Sequence, residues 1–489
     1  TYVHLLMYPF GGIFMKKESR LIAELSDLVG AENVITDPTS LSVYECDAAT
    51  LFKSLPEAVV FATTTQQVSE VVKLANQHNV PFIARGAGTG LSGGALAVEG
   101  GVIIALNRMN RILEIDLKNQ RAVVEAGVVN LWVTQAVQSD GYYYAPDPSS
   151  QQACTIGGNV AENSGGPHTL KYGVTTNHIL GLEVVLPNGE VVELGGVVEE
   201  TPGYDLRGVM VGSEGTFGIV TEAIVRILRK PQAYQTLLSV FESIDDATNA
   251  ISSIIGAGII PAALEMMDNL VIQAVEAAFH WGFPLDAGAV LIIELDGIKA
   301  GMQSQADRIV EICNAYNCRE VRHAKDEADR QKLWTARKRA FGALGRLAPS
   351  YLTQDGVSPR TKLPKLLRKI AEISEQYNIP VANVFHAGDG NLHPVMLFDE
   401  RDPDQCQRVL AASGEILEAC AEVGGSISGE HGIGVEKMDY IPLIFSPEDL
   451  ALMANIKAVF NPSGLCNPGK IFPTSKSCIE VGLGRRAAC

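Results

Sequence analysis

Residues 81–106 read PFIARGAGTGLSGGALAVEGGVIIAL: a short apolar strand, a glycine-rich loop and a second apolar strand. Gly88, Gly90 and Gly93 satisfy G-x-G-x-x-G, the spacing of a dinucleotide-binding turn. Such a turn must open a helix whose N-terminus holds the pyrophosphate. Only Ala95–Glu99 separates the loop from Gly100-Gly101 and the strand VIIAL, which leaves no room for that helix. The nicotinamide-type fold is therefore excluded. What remains is a loop dense in backbone N–H groups, suited to cradling an anion by main chain or simply to making a tight turn.

The pattern around the loop is a βαβ unit. VVFA at 59–62 is a strand, and a Thr-rich cap then opens a helix with Val68, Val71, Val72 and Ala75 on one face. Further strands are expected near 102–106, 112–116 and 121–126, and GIVTEAIVRIL (218–228) closes the region before a boundary at Lys230-Pro231. Beyond it, helical patterns alternate with apolar strands such as Val290–Leu295. A basic amphipathic helix is expected near 324–346, and another over Asp404–Val423, stopped by Gly424-Gly425. The basic run PRTKLPKLLRK (359–369) reads as the solvated face of a helix. The fold class is α+β with at least two domains.

Composition narrows the function. The chain has 489 residues, 46% of them hydrophobic, and a formal net charge of −17. That acidity argues against nucleic acid, whose binding needs a dense basic surface. Nine cysteines are scattered with no C-x-x-C pair, so neither a zinc ribbon nor an Fe–S ligand run is present. The scatter suggests free thiols in a reducing, cytosolic compartment. No apolar run reaches the ~18 residues of a membrane span. Residues 1–14 read as an upstream extension without the basic start of a signal peptide, and 474–489 as a tail.

The glycine composition recurs in CTIGGN (154–159), NSGG (163–166) and GSEGTFG (212–218). Several loops permitting close backbone approach in one domain imply a large ligand, and a flavin dinucleotide has the right size. RGAGTGLSGG, PDPSSQQACTIGGNVAENSGGPHTLKYGVT and GSEGTFGIVT resemble the FAD-binding domain of the vanillyl-alcohol oxidase / p-cresol methylhydroxylase (PCMH) superfamily. The chain is similar over about 15–473 to that superfamily's 2-hydroxy-acid enzymes: the glycolate oxidase catalytic subunit and the D-lactate and D-2-hydroxyglutarate dehydrogenases.

The resemblance implies a two-subdomain FAD-binding domain over 15–231 and an α/β cap over 232–454 carrying substrate and metal. A segment at 455–473 would return to the FAD domain. It implies that Arg85, Gly86, Ala87, Gly88, Thr89, Gly90 and Gly93 take the FAD pyrophosphate. Pro146, Gly157, Gly158, Asn163, Ser164, Gly215, Gly218, Ile219, Val220 and Asn467 would line the remainder. Members that attach flavin covalently use a His in or near these loops; none occurs in 85–94, and His168 lies in a segment not expected to do so, so the FAD is expected to be non-covalent.

VANVFH (381–386) and HPVMLF (393–398) read as two strands joined by a tight Gly-Asp-Gly turn, which brings His386 and His393 face to face. Two converging imidazoles fit zinc or a similar borderline metal. SGEHGIG (428–434) offers Glu430 as a third ligand, and on extended backbone His431 would point to the opposite side, toward substrate. Satisfied core histidines are the plainer reading. The resemblance assigns His386, His393 and Glu430 to the metal and His431 to acid–base work.

Trp334, Arg337, Phe341 and Leu344 share a helix face, so Arg337 is aimed inward and needs an anion: a substrate carboxylate or an internal acid. The family pattern places its carboxylate-binding Arg here. D-2-hydroxyglutarate enzymes carry a further Lys on the next strand and an Asn two residues past the second hairpin His. Here the strand reads YLTQDGVSPR and the hairpin position is Val395, which favours a small monocarboxylate, glycolate or D-lactate, over a dicarboxylate. The expected reaction is hydride transfer to FAD with metal-assisted deprotonation of the hydroxyl. The resemblance further implies an Fe–S electron-accepting subunit and a second flavin-domain subunit, or self-association, with the complex peripheral on the inner face of a membrane. A metal-dependent hydrolase would leave the glycine loops without purpose. A non-catalytic FAD-binding subunit would have no use for the Arg, metal and His set.

Overall fold

The computed structural model describes residues 14–198 and 202–473; the tail at 474–489, and the extension at 1–14 apart from Phe14, lie outside the described residues. Ala58–Phe61 and Phe82–Arg85 pair in parallel on either side of Val102–Ala105, and Val34–Ile35 adds an antiparallel edge. The crossover is the helix Thr65–His78. Thr64 caps it by accepting the Gln67 N–H, and Val68, Val71, Val72 and Ala75 pack it on the sheet. Between Arg85 and Val102 there is no helix, and the glycine loop runs directly into the next strand.

A second sheet is wholly antiparallel, in the order Ile112–Asp116, Arg121–Glu125, Ile219–Arg226, Ile179–Val185, Val191–Gly195. The short helix Ile156–Glu162 packs on it through Ile156 and Val160, which share a core with Val124, Val184 and Ala223. The glycine-rich segments 157–158 and 212–218 thus arrive beside the loop of the first sheet.

The second half builds a larger antiparallel sheet ordered Cys318–His323, Ala233–Phe241, Ala289–Gly297, Ala263–Asp268, Val381–His386, Asn391–Leu392, Gly356–Val357. In the strand Ala289–Gly297, residues 289–293 are apolar without a break because both faces of the sheet are covered there. Leu291 and Ile293 join Ile251, Ile309, Ile370 and Ile416 on one side. Val290 and Ile292 join Val271, Val275 and Ala340 on the other. Each such side chain contributes roughly 1.5–3 kcal/mol by leaving water.

Two local expectations are corrected. The helix expected near 324–346 is divided at Arg339 into Glu327–Lys338 and Ala340–Leu344, the second part weakened by Gly342 and Gly345. Trp334, Arg337 and Leu344 are nevertheless buried, and Phe341 is half-buried. The strand expected at 393–398 begins at Pro394, whose missing N–H interrupts the ladder; Asn391–Leu392 forms a separate short strand before it.

Residues 461–471 return to the first sheet. The Phe82 N–H donates to Leu465 O and the Asn467 N–H to Phe82 O, both at 2.9 Å, and buried Lys470 donates to Leu96 O at 2.7 Å. No helix among the described residues is long and apolar enough to cross a membrane. The seven described cysteines are all free thiols.

Candidate active site

A single cavity joins the two halves. One wall is Arg85–Gly90 with Gly157, Gly158, Ser164, Gly215, Gly218, Ile219 and Val220; the other is Lys338, Phe341, Tyr351, Thr353, His393, Glu430 and His431. The glycine wall is shaped for close approach. A Cβ at Gly86 would collide with Thr155 Oγ1, and one at Gly157 would sit 2.8 Å from Ala126 Cβ. Gly88, at φ 69°, occupies the left-handed region. Arg85 is buried and donates Nη2 to Cys46 O at 2.8 Å, while its Nη1 has no hydrogen-bond partner among the described residues. A buried guanidinium with a donor to spare beside open backbone fits a diphosphate, so these residues suit FAD.

Four expected FAD residues stand behind this wall. Gly93 donates its N–H to Asp47 Oδ2 at 2.9 Å, and Pro146 accepts from Asn130. Asn163 ends a helix at φ 53°, its Oδ1 accepting the Thr176 N–H. Asn467 donates Nδ2 to Gly94 O and Glu214 O, tying two glycine segments together. Asp47, Glu162, Lys338, Tyr351 and Thr353 line the cavity without having been singled out from sequence. Thr353 sits inside YLTQDG, so it was legible there; Asp47 has no local signal.

The two hairpin histidines meet as expected, ring centroids 5.1 Å apart and nearly perpendicular. Glu430 Oε1 lies 3.1 Å from His386 Nε2 and 3.2 Å from His393 Nε2. On its far side, His386 Nδ1 is held by Glu265 at 2.8 Å. A carboxylate behind a ligating imidazole fixes its tautomer and orientation, the usual outer support of a metal-bound histidine. Burial alone would lower the His386 pKa, but Glu265 and Glu430 outweigh it and raise it well above the ordinary value. Neither ring nitrogen of buried His393 makes a hydrogen bond of good geometry among the described residues. Two imidazole nitrogens converging on one carboxylate oxygen in a buried site are a donor set that fits a divalent cation. Asp355, His393 and His431 form a second convergent group. Asp355 is a poor ligand because its carboxylate already accepts from three backbone amides and a hydroxyl.

The 428–434 segment departs from expectation. It is not extended, and Glu430 and His431 do not point to opposite sides. The His431 ring stacks on His393, centroids 4.9 Å apart and planes within 5°, while Glu430 also reaches His393. The backbone curls because the amides of 429–431 all converge on Asp355 and because Gly432 takes φ 85°. Burial draws His431 down to about 4, against the opposing pull of Asp355, so its imidazole is neutral.

Arg337 is fully buried. Its Nε donates to Glu265 Oε2 at 2.6 Å and its Nη2 lies 3.5 Å from His386 Nδ1, while Nη1 has no hydrogen-bond partner among the described residues. An internal acid therefore takes part of the guanidinium and leaves one donor over. Glu265 supports both Arg337 and His386, and sequence reading passed it over. Its signal was an acid inside the apolar strand ALEMMD.

Two families match the chain: the FAD binding domain at residues 56–195, and the FAD linked oxidases, C-terminal domain, at residues 230–471. Glycolate oxidase subunit GlcD of Escherichia coli (strain K12) is 46% identical over 466 residues, covering 95% of this chain and 93% of that protein. D-lactate dehydrogenase of Anaerostipes hadrus is 32% identical over 467 residues, covering 94% and 98%. p-Cresol methylhydroxylase, solved with substrate bound, has the same fold: TM-score 0.80 at 19% identity, covering 94% of this chain and 98% of that one. The fold and the cradle define an FAD-dependent oxidoreductase with a PCMH-type cofactor domain. Within that class, the chain belongs to the FAD-linked oxidases.

Proposed function

We propose that this protein oxidises a small 2-hydroxy acid, glycolate or D-lactate, to the 2-oxo acid, using non-covalent FAD and a divalent metal such as zinc. The observation that carries this reading is one cavity with a glycine cradle on one wall and His393, Glu430 and His431 on the other. Arg85 and the loops at 86–90, 157–158 and 215–220 would hold FAD; His386, His393 and Glu430 would hold the metal. When bound, the flavin would accept the α-hydrogen as hydride and the metal would polarise the hydroxyl and lower its pKa.

The chain's own side chains supply the other requirements. Arg337 keeps Nη1 for the substrate carboxylate while Glu265 fixes the guanidinium from behind. Neutral His431 accepts the hydroxyl proton at a ring nitrogen; its Nδ1 is buried and unpartnered among the described residues. Phe341 and Tyr351 form the more apolar part of the same wall, which limits water around the reacting carbon. Val395 stands where the dicarboxylate enzymes' pattern has Asn, and the strand Ser350–Thr353, which pairs with Pro394–Phe398, carries no Lys, so neither group that would hold a second carboxylate is present there. A monocarboxylate fits better.

The Escherichia coli relative is by name a subunit. We extend this to partners that carry electrons away, an Fe–S protein and a second flavin-domain subunit, or to self-association, with the assembly cytoplasmic or on the inner membrane face.

The test is anaerobic. Visible flavin bands of the purified protein should bleach on adding glycolate or D-lactate, and should fail to bleach after the metal is chelated away. A yellow protein that no 2-hydroxy acid reduces would refute the proposed chemistry.

A further inference from the structure

Asp355 lies between the strands Ser350–Thr353 and Gly356–Val357, fully buried and outside the cavity wall. Its Oδ2 accepts the amide N–H groups of Gly429 at 2.9 Å, Glu430 at 3.1 Å and His431 at 2.8 Å, and the Ser428 hydroxyl at 2.7 Å. The ammonium of Lys437, also fully buried, stands 3.3 Å from the same oxygen and balances its charge. Oδ1 is 3.2 Å from the Glu430 nitrogen and 3.5 Å from His393 Nε2.

Successive amides of an extended chain point to alternate sides, so three that aim at one oxygen require a curled backbone. That curl turns the Glu430 carboxylate toward His386 and His393 and lays the His431 ring on His393. From the other domain, Glu214 accepts the N–H groups of Ile433 and Gly434, both at 2.7 Å, and fixes where the loop ends. Glu214 acts beyond the ligating residue, whereas Asp355 holds the ligating residue's own amide.

We infer that Asp355 is a positioning residue: it preorganises the 428–431 loop so that Glu430 reaches the metal and His431 reaches the substrate. This rests on the metal site proposed above. Asp355→Asn is nearly isosteric but replaces the carboxylate by a neutral amide whose one oxygen is a weaker acceptor, and it leaves buried Lys437 without its counter-charge, so the grip on the loop loosens.

The test uses the full-length, FAD-loaded protein, stripped of metal and equilibrated with graded free Zn2+, with zinc per chain measured after gel filtration. Loss of an outer-shell partner typically weakens metal binding by about 10- to 100-fold, and D355N should fall in that range while flavin absorbance per chain is unchanged. A D355N protein that binds zinc as tightly as wild type would overturn the inference, even with a lowered Tm, because the role would then be structural only. Should D355N not fold, Ser428→Ala removes one of the loop's donors to Asp355 and should weaken zinc binding by about two- to tenfold. Unchanged affinity in S428A would overturn the inference equally. Wild type that takes up no zinc would sink the proposed metal site and this inference with it; zinc-loaded wild type with unaffected variants would sink this inference alone.

Discussion

Replacing His168 with glutamine removes a cation from a buried network that joins the two halves of the molecule. His168 Nδ1 lies 2.9 Å from Asp147 Oδ2, and its Nε2 lies 3.6 Å from Glu294 Oε1 across the domain boundary. Its ring rests on Trp334, centroids 5.2 Å apart. Two further cations face the same acids: Arg330 forks Glu294 with two contacts of 2.8 Å, and Lys338 reaches Asp147 at 3.3 Å. Burial would lower the His168 pKa, but Asp147 and Glu294 outweigh it and raise it from 6.5 to about 10. Below pH 6.5 both folded and unfolded chains carry the proton, and the stabilisation is fully present. Between 6.5 and 10 only the folded chain keeps it, so stability falls by about 1.4 kcal/mol per pH unit. The whole window corresponds to roughly 5 kcal/mol, and partial solvent screening of a side chain 20% exposed reduces this to about 3–5 kcal/mol. The assay is urea unfolding of FAD-loaded wild type and H168Q at half-unit steps from pH 6 to 10, with ΔG taken from midpoint and slope. Wild type should be the more stable at pH 6, and the gap should close toward pH 10. Parallel curves, or a gap that widens with pH, would refute the assignment of the charge to His168.

Gly86→Ala should abolish stable FAD binding, because the added methyl meets Thr155 Oγ1 in the cradle wall; the flavin-to-protein absorbance ratio reads this, and an unchanged ratio contradicts it. Glu430→Gln replaces the carboxylate shared by His386 and His393 with a neutral amide, a far weaker ligand, and zinc per chain after gel filtration should drop from about one to near zero. Retention of zinc by E430Q would place the metal elsewhere. Arg337→Lys preserves a charge for Glu265 but loses the planar fork, so the KM for the hydroxy acid should rise by about tenfold or more with kcat less affected. A fall in kcat alone would move Arg337 out of substrate binding.

The groups that wall the cavity or converge in the histidine cluster were the most legible. A backbone that must approach a large cofactor needs glycine, and the short gap between Arg85 and Val102 already ruled out the helix of the alternative fold. The hairpin histidines were legible for a similar reason: the chemistry restricts residue type and the turn dictates their meeting. Less legible were the groups that aim them. Glu265 is 121 residues from the histidine it holds, and Asp355 is 73 residues from Ser428 at the start of the loop it shapes. No local pattern records those distances, and only the strand order of the large sheet brings the partners together. The misread direction of His431 has the same origin. Extended geometry is the default for a short glycine-flanked segment, and a carboxylate from another strand overrides it. Pro146, Asn163 and Asn467, which motif resemblance places at the cofactor, are each hydrogen-bonded to a neighbouring segment, contacts that no local pattern records either. In the GSEGTFG motif the two roles are interleaved: Gly215 and Gly218 wall the cavity, while Glu214 reaches across to hold the end of the loop bearing Glu430 and His431. The glycine cradle and the loop bearing Glu430 and His431 are therefore aligned through one short segment. A change there should alter both flavin binding and metal binding, whereas a change at Asp355 should alter the metal alone.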